Sequence, residues 1–100
     1  MGLEFKNNLE AIRFGDIVAQ PSVNIEQRLR LQNLKLSDGA EIDEAITVMS
    51  ECFGNKAEKV SDYIRNNMTL IEIVQLQAYL VGGQTMLDKI NKNMEQSDGE

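Results

Sequence analysis

Histidine and tryptophan are absent from this 100-residue chain, and cysteine and proline occur once each. The missing histidine removes the commonest general base at neutral pH and the commonest metal ligand. The lone thiol, Cys52, cannot close an internal disulfide, which fits a reducing compartment. Aromatic residues make up only 5% of the chain, so the core has to be aliphatic, built from Leu, Ile, Val and Met. Positive charge is also scarce: 10 Lys and Arg against 16 Asp and Glu give a net charge of −6. An acidic surface repels a polyanion, and the dispersed Arg28, Arg30 and Lys35 make no basic patch, which argues against a nucleic-acid partner. No apolar run reaches membrane-spanning length, because Gly82 and Gly83 interrupt the longest one. The N-terminus lacks a basic stretch followed by an apolar one, and Lys6 stands where a myristoylation signal needs Ser or Thr. The expectation is a soluble protein that stays inside the cell, with Asn67-Met68-Thr69 a chance glycosylation sequon.

What is present is helical. The apolar fraction of 42% suits a single domain over residues 1–100. Five pairs have the spacing in which a side chain at a helix start and one three residues later satisfy each other's backbone donors. They are Asn24 with Gln27, Asp38 with Glu41, Asn55 with Glu58, Thr69 with Glu72, and Thr85 with Asp88. Ile42, Ala45, Ile46, Met49, Cys52 and Phe53 form an apolar stripe at helical spacing, with Glu41, Glu44, Ser50 and Glu51 turned to water. Gly54 then has the place of a left-handed C-terminal stop. Between Asn55 and Asn67 a shorter stripe runs through Ala57, Val60, Tyr63 and Ile64.

The segment 70–81 differs, because apolar residues surround its axis and only Glu72, Gln75 and Gln77 relieve them. Such a helix is buried, or it shows a second face to a partner. Gly82-Gly83 makes a stop or a hinge, after which Met86, Leu87, Ile90 and Met94 resume a stripe and residues 96–100 form a flexible polar tail. A helix is also expected from Ile25 to Leu36, after a break at Gln20-Pro21. Residues 1–23 admit two readings. One is a short β-hairpin with Leu3 and Phe5 in a strand and a turn at Asn7-Asn8; the other is a helix from Leu3 to Ala19, weakened by Gly15. The fold class is all-α: a small bundle of four to five short helices, with that N-terminal hairpin in competition.

No constellation for catalysis emerges. Cys52 lies on an inward stripe without a base. Glu41, Asp43, Glu44 and Glu51 lack EF-hand spacing, and acidic first turns follow from the helix dipole alone. Gly82-Gly83 has neither the preceding strand nor the following Lys of a phosphate loop. The chain therefore reads as a non-enzyme, with no cofactor and no metal. The surplus of apolar surface points to protein binding or self-association. The candidate contact residues are Leu76, Tyr79, Leu80, Met86 and Ile90, some of which must serve the core.

The run Glu41-Ile42-Asp43-Glu44-Ala45, then Cys52-Phe53-Gly54, then Val60 with Tyr63-Ile64, resembles the tail assembly chaperones of long-tailed phages. Thr69-Leu70, Glu72-Ile73, Ala78-Tyr79-Leu80 and Gly82-Gly83 continue the likeness, which covers roughly residues 39–90. The resemblance implies a mainly helical, non-enzymatic protein of the host cytoplasm. It would coat the apolar tape measure protein until tail-tube proteins replace it, the latter recruited in some members by a longer frameshifted product. Family members often begin with strands, which only the stretch from Leu3 to Phe14 would match. Two other readings compete: a helical structural adaptor or connector of a phage particle, assembling into a stable homo-oligomer, and a transcription regulator, which would need a basic recognition helix.

Overall fold

In the computed structural model, which describes residues 9–98, the first element is a β-hairpin of β1 (Ile12–Phe14) and β2 (Ile17–Ala19). The strands are antiparallel, with Ile12 opposite Ala19, Arg13 opposite Val18 and Phe14 opposite Ile17. Gly15 takes φ +64° and Asp16 does not follow it into positive φ, the pattern of a two-residue type II′ turn whose twist matches the strands. Alternation sends Phe14 and Ala19 into the core and leaves Arg13 and Val18 outside. Phe14 meets Phe53 and Tyr63 edge-on, at ring-centre separations of 5.2 and 5.8 Å. A Cβ on Gly15 would lie 2.9 Å from Cε2 of Tyr63, so this glycine is needed for close packing as well as for the turn.

The hairpin thus exists, but its turn is Gly15-Asp16. The expected turn at Asn7-Asn8, and the strand through Leu3 and Phe5, lie outside the described residues. The competing helix from Leu3 to Ala19 does not form over Leu9–Ala19, because Gly15 reverses the chain and two apolar pairs close across it.

After the break at Gln20-Pro21, Ser22 N–H donates to the carbonyl of Cys52 at 2.8 Å and Val23 is buried. Helix α1 (Ile25–Asn33) opens with the expected reciprocal cap between Asn24 and Gln27. It stops at Asn33, short of the expected Leu36, and Leu34 is extended. Leu34 and Leu36 instead pack from the following loop against the core.

Helix α2 (Gly39–Glu51) starts on Asp38, whose carboxylate accepts from Glu41 N–H at 2.9 Å. Its stripe is inward as expected, with Ala45, Ile46, Met49, Cys52 and Phe53 buried and Ile42 partly so. Ser50, expected to face water, is buried. The reason is that α1, α3 and α4 all pack on α2, which widens its buried face to take in Val48 and Ser50 as well. Gly54 has the positive φ of a helix stop, +61°. It begins a single 3-10 turn, Gly54–Lys56, that leads into α3 (Ala57–Asn67). That turn displaces the expected Asn55–Glu58 cap, and α3 begins with no side-chain cap. Val60 and Ile64 of α3 are wholly buried.

Helix α4 (Leu70–Asp98) opens with Thr69 and Glu72 satisfying each other's backbone donors at 2.9 and 3.2 Å. It is broken at Gly83, where φ is 73° and ψ −162°. The first limb is residues 70–82 and the second 84–98. The expected Thr85–Asp88 cap is not made; Asp88 accepts from the Gln84 side chain at 2.8 Å. The second limb stays helical through Asp98, into the segment expected to be a flexible tail. The architecture is mainly helical, with four helices among the described residues and the two-stranded hairpin on the N-terminal side.

Candidate protein-binding surface

The break at Gly83 shapes the surface. Gln75 Nε2 on the first limb donates to Asn91 Oδ1 on the second at 2.8 Å, across 16 positions of sequence. On an unbroken helix those residues would be about 24 Å apart along the axis. The second limb therefore folds back sharply towards the first. Between the two limbs, β1 and the C-terminal end of α3 opens a groove of about 540 Å³. Phe14, Met68, Leu76 and Leu87 give it an apolar floor, while Glu10, Arg13, Glu72 and Gln84 supply polar edges.

The five residues expected from the sequence to contact a partner divide three ways. Leu76 and Leu80 are buried, and Leu80 at 1% exposure belongs to the centre of the core. Tyr79 and Ile90 are half-buried. Met86 is the one among the five that is exposed. Tyr79 also has a structural task, since its hydroxyl accepts from Glu10 N–H at 2.8 Å and holds the chain ahead of β1 against α4.

From Ile73 to Val81 the first limb has no exposed residue, and its two glutamines there are used inside the molecule. Gln77 Nε2 donates to the carbonyls of Leu31 and Leu34 at 2.6 and 3.2 Å. Helix C-termini leave carbonyls without intrahelical partners, and Gln77 satisfies them at the end of α1. Gln75 bridges to the second limb and Glu72 caps the first turn.

The most exposed apolar side chains lie on α1 and in the first turn of α4: Ile25 (74%), Ile71 (58%), Leu29 (54%) and Leu70 (49%). None is among the contact residues expected from the sequence. A signal was available in α1, because Ile25 and Leu29 are one turn apart and share a face, whereas Leu31 lies roughly 120–160° round the axis. A helix that buries Leu31 has to show the other two.

Charge decorates this frame without concentrating. Arg65 pairs with Asp43 between α3 and α2, and Arg30 with Glu44 between α1 and α2, both at the surface. Pairs of this kind contribute about 0–1 kcal/mol each. Among the described residues no group of three or more Asp, Glu or Cys is placed to hold a metal ion. Burial pushes the Cys52 thiol up from 9.0 to about 11, with the Glu51 carboxylate adding to the effect, so at neutral pH it is a protonated, unreactive group. No helix among the described residues is long and apolar enough to cross a membrane.

No family model matches the chain, and no curated protein or solved structure matches it. Function has to be read from the residues and their geometry.

Proposed function

We propose that this chain is a non-enzymatic protein-binding chaperone of the tail-assembly type, which holds the apolar, helical tape measure protein of a long-tailed phage soluble in the host cytoplasm. The observation that carries the reading is the exposure of Ile25, Leu29, Leu70 and Ile71 on a chain of net charge −6. Ile25 with Leu29, one helical turn apart, and Leu70 with the adjacent Ile71 offer paired contact points to an apolar partner, and the surrounding negative charge keeps the complex dispersed. The resemblance supports it in a specific way. Ala45, Cys52, Phe53, Val60, Ile64, Ala78 and Leu80, which carry the likeness, are core residues, and Gly54 and Gly83 are its two breaks. The likeness thus takes in fold-making positions alongside the exposed Asp43, Glu44 and Leu70. Client contacts fall to the exposed residues outside it, together with Leu70 and Met86.

The test is co-expression with the tape measure protein encoded beside this chain in its own genome. The expected result is recovery of the client in the soluble fraction, with many copies of this chain bound along it. Paired substitution of Ile25 and Leu29 by Asp should abolish that recovery and leave the circular dichroism and Tm of the free chain nearly unchanged, because both side chains already face water. A client that stays insoluble while this chain runs as a discrete oligomer would replace the chaperone reading with the structural adaptor.

A further inference from the structure

We propose that Gly83 is an exchange hinge through which the 84–98 limb of one chain can leave its place against its own first limb and take the same place in a second copy. The hinge stands on the fold alone and needs no client.

Two independent features confine the bent form to a sequence with Gly82-Gly83. Gly83 sits at φ 73°, ψ −162°, a region open essentially to glycine only. Its neighbours on both sides are helical, so a change at this one residue would merge the limbs into a single 29-residue helix, about 44 Å long. The second feature is at Gly82, where an added Cβ would lie 2.6 Å from Cβ of Met86. On a regular helix, Cβ atoms four positions apart are about 5–6 Å from each other. The clash therefore belongs to the bent form and vanishes in the straight one.

The limb is also lightly held. None of its described side chains, residues 84–93, is buried, whereas the first limb buries Ile73, Leu76, Ala78 and Leu80. Across the break the described hydrogen bond is Gln75 to Asn91. In the straight form, Asn91 moves about 24 Å along the axis from Gln75, beyond reach of its own groove. The groove's apolar floor and the limb's Leu87 and Ile90 are then exposed in every copy. The occupant that restores each lost contact is the same limb of a second chain, in a reciprocal two-fold exchange. The partner is specified by identity: this limb already forms one wall of the groove in cis, through Gln84, Leu87 and Asn91.

The experiment uses the full chain with one added cysteine in each of two separate preparations, Gln75→Cys in one and Asn91→Cys in the other, mixed and treated with a short bis-maleimide. Buried, protonated Cys52 stays unlabelled. Exchange holds the two new thiols of different chains within reach of the linker, so a covalent heterodimer should accumulate with time, well above the homodimers that collision gives in each preparation alone. Its absence after prolonged incubation at high concentration would overturn the proposal. The same assay on a Gly82→Ala, Gly83→Ala background should cross-link faster, and light scattering should give a dimer dissociation constant lower by about tenfold or more. A folded doubly substituted chain that remains monomeric and gives no cross-chain product would equally sink the hinge. If that variant does not fold, the mixing experiment in the unsubstituted background decides alone.

Discussion

The two limbs of α4 flank the Gly82-Gly83 break with similar apolar spacing, and they are held in different ways. The first is anchored along its length by four buried apolar side chains, by Gln77 at the end of α1 and by the Tyr79 hydroxyl on Glu10. The second shows half-buried Leu87, Ile90 and Asn91 and is tied across the break by Asn91. Apolar spacing does not separate them, since Met86, Leu87 and Ile90 fall at the same helical intervals as a core stripe. What separates them is what lies against each. The first limb packs against α1 and α2, while the second lies over one side of a groove.

The sharpest way to break this comparison is a pair of truncations. Leu80→Ala should cost about 2–5 kcal/mol, as a filled core position that cannot collapse, and Ile90→Ala on the second limb under about 1.5 kcal/mol. Chemical denaturation of both variants checks it. Equal losses would mean that the second limb is as much core as the first. A smaller effect follows from the interior thiol. Cys52 has a folded value of about 11 against 9.0 unfolded, so the fold favours the neutral form. Its contribution is complete below pH 9.0 and is lost as pH rises towards about 11. The upper bound on that loss is roughly 3 kcal/mol, since each tenfold change in proton affinity is worth about 1.4 kcal/mol. Thermal melts between those pH values should therefore fall more steeply for the natural chain than for Cys52→Ala. A cysteine placed at exposed Met86 should react with a thiol reagent at neutral pH, whereas Cys52 should not. The smallest expected effect is at Gln77. Gln77→Ala leaves the carbonyls of Leu31 and Leu34 without this donor and should cost about 1–2 kcal/mol, with amide exchange rising at the end of α1. No change in α1 exchange would show that water replaces the glutamine and that the first limb is held by packing alone.

Much of the helical framework is legible in the sequence. The reciprocal caps at Asn24–Gln27 and Thr69–Glu72, the Asp38 cap, the stripe of α2 and the stops at Gly54 and Gly83 all appear where the spacing places them. The Asn55–Glu58 and Thr85–Asp88 pairs have the same spacing and make no cap, because a 3-10 turn and the Gly83 break set the local backbone first. The hairpin is half legible: Gly15 stands out as a helix breaker, but its turn with Asp16 is held by Phe14 on Phe53 and Tyr63, which are distant in sequence. The candidate contact residues are the least legible. Periodicity does not tell Leu76 and Leu80 from Met86, and Ile25 and Leu29 pass for ordinary members of a helical stripe.

The dividing line is sequence separation. Caps, stripes and glycine stops are interactions among residues within about four positions, so the order of side chains along the chain is enough to place them. Which face of an apolar helix is buried depends on what arrives from elsewhere. Gln77 meets Leu31 and Leu34 across 46 and 43 positions, and Tyr79 meets Glu10 across 69. Ser50 is enclosed because three other helices converge on α2. The second limb of α4 turns back because Asn91 finds Gln75 once Gly83 has bent. Neighbouring residues settle where most of the helices start and stop; segments brought together from far along the chain settle which apolar side chains are left in water.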